Sequence, residues 1–293
     1  MDFLTDPWNW WVEPFLGSSG GAMRNALAAV LLTALCTSVV GTWVVLRGMS
    51  FLGDALAHGV LPGLAIAFVL GADPTLGAFV AAVVMVAGVN VVRAASPLPD
   101  DASIGILFVG FLALAVVVMS SQQASYTGDL TRFLFGSITG VDTADLTRQI
   151  VFTAVTIVAV VVLYRALLVG TFDERQAQVL GLHPRLVHGI LLVLVAVAIV
   201  ASFSTVGNLL VFAFLIAPPA TAPLLVRRVP AIMVLGVVIG AVSGVVGLLI
   251  SYHHATAAGA TMALCTVVVF FAALVARSVA ILLRRHHAGT LST

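Results

Sequence analysis

The strongest constraint on this chain is a recurrence of long apolar runs from one end to the other. Eight main ones lie near residues 24–46, 55–71, 75–95, 102–120, 149–169, 189–206, 230–251 and 255–283. Each is close to the ~20 residues that an α-helix needs to cross the hydrocarbon core of a bilayer. They are rich in Val, Leu, Ala and Gly. In lipid no water can satisfy the backbone, so even valine-rich runs become helical. Charged residues make up 9% of the 293 and hydrophobic residues 61%, against the ~25% charged that is usual for soluble domains. The mean hydropathy of +1.18 agrees. A soluble fold would lack the polar surface to cover such a core. The expected fold class is therefore all-α, a polytopic integral membrane protein of about eight transmembrane helices.

Turn chemistry separates the runs, at Gly71-Ala72-Asp73-Pro74 and at Ser96-Pro97-Leu98-Pro99-Asp100-Asp101. No polar stretch is long enough for a soluble domain. Residues 1–21, with Asp2, Asp6, Trp8, Trp10 and Trp11, have no basic n-region before a cleavable apolar run. They read as a segment at the membrane interface, where tryptophan is enriched. Residues 22–285 form the transmembrane domain and 286–293 a tail. Three stretches do not read as simple spans. Residues 121–148 mix Gln122, Gln123, Asp129, Arg132, Asp142, Asp145 and Arg148 with a short apolar piece. Residues 171–188 are polar and read as a short surface helix. Residues 207–229 begin apolar and are expected to break at Pro218, Pro219 and Pro223. Full crossing by 130–147 or 207–226 would raise the count to nine or ten.

All 13 basic residues are arginine, and the net charge is +1. That leaves no basic face for nucleic acid. With eight spans and both termini in the cytoplasm, Arg24, Arg132, Arg148, Arg227, Arg228, Arg284 and Arg285 face inward. Arg47, Arg93, Arg175 and Arg185 then face outward. The bias has the sign of the positive-inside rule. The expected location is the inner or plasma membrane. Cys36 and Cys265 lie inside apolar runs and read as small core residues.

The chemistry concentrates in the run from Arg47 to Gly63. Asp54 and His58 are four apart and share one helix face. Carboxylate and imidazole together suit Zn²⁺, Mn²⁺ or Fe²⁺. An isolated acid costs about 2.5–3.5 kcal/mol near the bilayer centre, so it is kept where it meets a cavity, a partner or an ion. Pro62 removes the hydrogen bond that the His58 carbonyl would otherwise accept, and that oxygen becomes a further candidate donor. Gly59 and Gly63 have the spacing of a close helix contact. Spacing alone leaves three readings open: a metal path, an ion pair on a helix surface, and an N-cap at Asp54. Asn90 and Asn208 read as interhelical hydrogen-bonding residues. His183, His188, His253 and His254 fall in loops placed outside, where they are candidates for metal capture. His286 and His287 sit at the cytoplasmic end. The stripe Gly236, Gly240, Gly244 and Gly247 reads as packing. There is no phosphate-binding glycine loop, no HExxH and no Ser/His/Asp order.

The run Leu46-Arg47-Gly48-Met49-Ser50-Phe51-Leu52-Gly53-Asp54-Ala55-Leu56-Ala57-His58-Gly59-Val60-Leu61-Pro62-Gly63 resembles the hallmark of the zinc/manganese/iron permease family of ABC transporters. Residues 173–181 resemble that family's polar helix, and residues 205–225 its proline-containing segment. The resemblance covers about residues 22–285. Gly48, Gly59 and Asn208 depart from the common pattern, and the Trp-rich start is not part of it. The resemblance implies a permease without its own nucleotide site, working as a homodimer. It implies a cytoplasmic ATP-binding subunit, an extracytoplasmic metal-binding protein, and a translocation path past Asp54 and His58. No cofactor is held permanently; the metal, Zn²⁺ first and Mn²⁺ or Fe²⁺ after it, is cargo. Pro218, Pro219, Arg227 and Arg228 are the expected docking region for the ATPase. Rival expectations are an ion-coupled secondary carrier, which would usually have more acids inside its spans, and an ABC permease for siderophores or cobalamin, which needs a wider passage.

Overall fold

A computed structural model describes residues 7–16, 20–96, 100–120 and 140–290. Among them there is no strand. The helices are α1 (Pro7–Trp11), α2 (Glu13–Leu16), α3 (Gly20–Leu46), α4 (Ser50–Gly59), α5 (Leu61–Leu70), α6 (Pro74–Ala95) and α7 (Asp100–Ser120). After the undescribed connection come α8 (Thr143–Phe172), α9 (Glu174–Val179), α10 (Pro184–Val206), α11 (Asn208–Leu225), α12 (Val229–His254) and α13 (Ala258–Thr290). The expected mixed stretch at 121–139, with Gln122, Gln123, Asp129 and Arg132, lies outside the described residues.

Local chemistry sets the helix ends. Asp73 caps α6 by accepting the Thr75 N–H at 2.7 Å, with Pro74 in the first turn. That N–H, with Arg148 nearby, holds the Asp73 carboxyl below its usual range. Asp142 and Asp173 cap α8 and α9 in the same way, each accepting an N–H at 2.8 Å. Gly71, at φ +64°, closes α5 in the left-handed conformation that a side chain resists.

Among the described residues nine helices, counting α4 and α5 as one, are long and apolar enough to cross a membrane. The ninth, beyond the eight main runs, is α11. Its three prolines lie inside a continuous helix, contrary to the break expected at Pro218 and Pro219. The bundle packs closely around the proline-bearing turns. Within them the Thr221 hydroxyl donates to the Ala217 carbonyl at 2.7 Å. The Leu215 carbonyl, which Pro219 cannot pair, lies against Gly41, where a Cβ would collide with it. Neighbouring helices and threonine hydroxyls commonly make proline tolerable in membrane helices.

The centre of the bundle is α3, which packs on α8, α10, α11 and α12. Its apolar window is 67% buried, whereas that of α13 is 6% buried and so faces outward almost entirely. The expected glycine contacts are present. Gly63 and Gly77 lie backbone to backbone between α5 and α6, and a Cβ on either would strike the other's carbonyl. The stripe on α12 seats Gly236 on Pro219, Gly240 on Ser38 and Ala34, Gly244 on Val30, and Gly247 on Met262.

Polar contacts define two faces of the bundle. At the first, Asn25 donates to the Val141 carbonyl, Arg148 reaches Thr75 and Asp73, and His253 stacks on Trp10 at 4.4 Å. The segment at residues 7–16 therefore rests on that end. At the second, Arg47 donates to the Thr171 hydroxyl at 2.9 Å. Along the bundle, Gly20 lies at the first face, and nine successive passes of the described helices carry α13 toward the second. By helix position, Arg47, Arg93, Arg175, Arg185, Arg227, Arg228, Arg284 and Arg285 gather at the second face, against Arg24 and Arg148 at the first.

Candidate functional site

Most of α4 is buried: Leu52, Gly53, Ala55, Leu56, Ala57 and Gly59 all face the bundle. Phe51, Asp54 and His58 make the opposite stripe, at helical positions i, i+3 and i+7. The side chains of Asp54 and His58 are each 27% exposed, so the pair opens onto space rather than into the core. His58 Nδ1 lies 3.3 Å from Asp54 Oδ1 and 3.1 Å from the Asp54 carbonyl oxygen. An N–H at Nδ1 donates in that direction and leaves the Nε2 lone pair for another partner. Carboxylates that orient metal-binding imidazoles do so in this way.

An aromatic wall closes one side. The Phe108 ring, on α7, stands edge-on to His58 at 5.5 Å and to Phe51 at 6.2 Å. Sequence reasoning missed both rings. Phe51 had a signal, three residues before Asp54; Phe108 had none, because its contact exists only once α7 packs on α4.

Pro62 divides the span. It opens α5 in the first turn, and Val60 stands between α4 and α5. The His58 carbonyl accepts the Val60 N–H and is therefore not without a partner, as Pro62 alone had suggested. A carbonyl has a second lone pair. Among the described residues no cluster of three or more His, Cys, Asp or Glu exists. One chain thus offers two strong protein donors here, where structural zinc usually takes four.

The other expected site residues lie elsewhere. Pro218 and Pro219 are buried inside the bundle, Pro219 between Gly41 and Gly236, so neither presents a surface to a soluble partner. Arg227 and Arg228 are exposed at the second face. His183 is exposed at the start of α10, with His188 about one turn inside it. His253 and His254 end α12 at the first face, where His253 also contacts the Trp10 carbonyl at 3.2 Å. Asn90 bonds within its own helix, to the Val86 carbonyl, rather than between helices. Asn208 is buried beside Gly207, with no bonding partner for its Oδ1 among the described residues. Cys36 is buried and Cys265 half-buried, and both are free thiols.

Comparison with known proteins shows which family the chain resembles as a whole. Residues 20–277 match the model of the ABC 3 transport family. The manganese transport system membrane protein MntC of Listeria innocua is 36% identical over 253 residues, covering 86% of this chain and 90% of that protein. The chelated iron transport system membrane protein YfeD of Yersinia pestis is 32% identical over 253 residues, covering 86% and 84%. Among solved structures, PsaBC from Streptococcus pneumoniae in complex with Fab superposes with a TM-score of 0.81 at 30% identity, over 90% of this chain and 94% of that one. With its bundle of membrane-crossing helices and its acid–imidazole pair, the chain belongs to the ABC 3 transport family, a family of membrane permease subunits of metal ABC transporters.

Proposed function

We propose that this protein passes a divalent metal ion, Mn²⁺ before Fe²⁺ and Zn²⁺, along a path that runs by Asp54 and His58. The observation that carries the proposal is the partly exposed acid–imidazole pair on the open stripe of the largely buried helix α4. Such a placement is costly unless an ion or a cavity is met there. The order of metals replaces the zinc-first expectation. Two of the relatives compared above are named for manganese and iron, and none of them is named for zinc. A carboxylate and an imidazole without thiolate also suit a harder ion.

The energy comes from a separate ATP-binding chain and the metal from an extracytoplasmic binding protein, as family membership implies. The second face, with eight arginine positions against two near the helix ends described, is the cytoplasmic one. The N-terminus is then outside and the C-terminus inside. Docking of the ATPase falls to Arg227, Arg228 and the short helix α9, whose end leaves Val179 86% exposed and Leu180 61% exposed outside any span. Two copies of the chain, each with two donors, supply a four-donor site if their pairs meet at a two-fold axis.

The test is accumulation of metal by vesicles carrying the whole complex. ATP-dependent uptake of Mn²⁺, competed by Fe²⁺, is the expected result. Uptake that ignores ATP, or that requires an intact metal chelate, overturns the proposal.

A further inference from the structure

A groove of about 1740 Å³ opens on the side of the bundle between α6, α8 and α10. Its walls are outward-facing stripes: Phe79, Val83 and Ala87 on α6, and Ile190 and Val193 on α10. Val83 is 46% exposed and Val193 45%, so the stripes face the lipid and not the core. From Asn90 back to Phe79 the groove runs ~16 Å at 1.5 Å per residue. That is the depth of one leaflet, half of a ~30 Å hydrocarbon layer.

The rim is chemically different. At the second face the groove ends in Arg47, Asn90, Gln178, His183 and His188. Each can donate a hydrogen bond. Among the described residues no carboxylate lines the groove. Arg47 is held in position by its Nε–H bond to Thr171.

An apolar slot one leaflet deep, closed by a rim of donors around an arginine, matches one kind of molecule. We infer that the groove is a binding site for an anionic phospholipid, with the phosphate at the Arg47 and His183 rim and an acyl chain along the α6–α10 stripes. Basic pockets between spans on the cytoplasmic side are suited to anionic headgroups. A second copy of this chain fits less well. Seated groove to groove about a two-fold axis along the membrane normal, which keeps every residue at its own depth, two copies would set the Arg47 rim beside its own image, cation beside cation. The inference uses none of the residues in the metal path, and it can fail while the transport proposal stands.

The experiment uses the complete complex, purified in detergent and titrated with phosphatidylglycerol or phosphatidylcholine. Bound lipid is counted by native mass spectrometry, and thermal stability is followed in parallel. The expected result is about one retained phosphatidylglycerol per protomer, with phosphatidylglycerol raising the melting temperature more than phosphatidylcholine does. His183→Glu, which puts a carboxylate on the rim, is expected to weaken phosphatidylglycerol binding at least about fivefold. Ala87→Trp fills the slot and is expected to reduce binding of that lipid. Val162→Trp, on an α8 position 74% exposed and outside the groove, controls for bulk at the lipid surface and leaves binding unchanged. Equal retention of both lipids by the wild-type complex overturns the inference. So does unaltered phosphatidylglycerol binding in both groove variants, or a change in oligomeric state with Ala87→Trp while lipid binding persists.

Discussion

His58 Nδ1 faces the Asp54 carboxylate at 3.3 Å across one turn of α4. The relationship is more specific than two ligands that happen to be neighbours. With Nδ1 turned toward the acid, Nε2 is the nitrogen available to an incoming ion. On the proposed metal path Asp54 has two roles, fixing the imidazole's orientation and offering its own oxygens, so removing either side chain is expected to damage both.

Phe108 holds the other side of the imidazole, edge-on at 5.5 Å. Aromatic contacts of this kind contribute about 0.5–1.5 kcal/mol. Phe108→Ala is expected to raise the apparent KM for metal by about 2- to 10-fold while the complex assembles normally. Initial uptake rates across a metal concentration series check this. An unchanged KM would show that the ring plays no part in placing His58.

Uptake should fall as the pH is lowered, because a protonated imidazole has no lone pair for a metal. The sign follows from ligation alone: the neutral ring binds and the charged ring does not. In His58→Gln, the remaining uptake is expected to lose this dependence. Rates measured at several external pH values, with the ATPase rate recorded at each, separate the effect from loss of the motor. A His58→Gln profile that parallels the wild type counts against ligation by His58.

The proposed placement of the two termini on opposite faces makes a labelling pattern. In a protein lacking Cys36 and Cys265, a cysteine at Thr256, in the turn between α12 and α13, should react with an impermeant reagent added outside intact cells. A cysteine at Gln176, on α9, should react only after the membrane is opened. The reverse pattern would place the arginine-rich face outside and remove α9 from the docking proposal.

Gly63→Ala should be destabilising, although alanine is the better helix former. A Cβ at Gly63 runs into the Gly77 backbone, and backbone cannot move aside as a side chain can. Overpacking of this kind costs about 1–3 kcal/mol. The melting temperature of the detergent-solubilised protein is expected to drop by several degrees. A rise would mean that α5 and α6 do not touch there.

Much of this could be read from the residues. The apolar runs placed most of the crossings, and the interval from Asp54 to His58 placed both side chains on one face. Pro62 marked the division of the span that carries them. The α11 crossing was obscured because Pro218, Pro219 and Pro223 carry a strong local signal for a break. What offsets it is tertiary: Gly41 beside the Leu215 carbonyl, and the rest of the bundle around α11. Counted as a crossing, α11 reverses the face of everything after it, and the proposed opposition of the two termini rests on it. Within the site, the contact of Phe108 depends on how α7 packs against α4, and a linear sequence gives no sign of that.

The most direct test compares uptake of radioactive manganese by proteoliposomes holding the complete complex with wild-type, Asp54→Asn or His58→Gln permease. Each substitution preserves size and removes a donor. The expected result is that both variants assemble with the ATPase and hydrolyse ATP, and that uptake falls at least about tenfold, the equivalent of ~1.4 kcal/mol in the transport step. Wild-type uptake by both variants would contradict a metal path past Asp54 and His58.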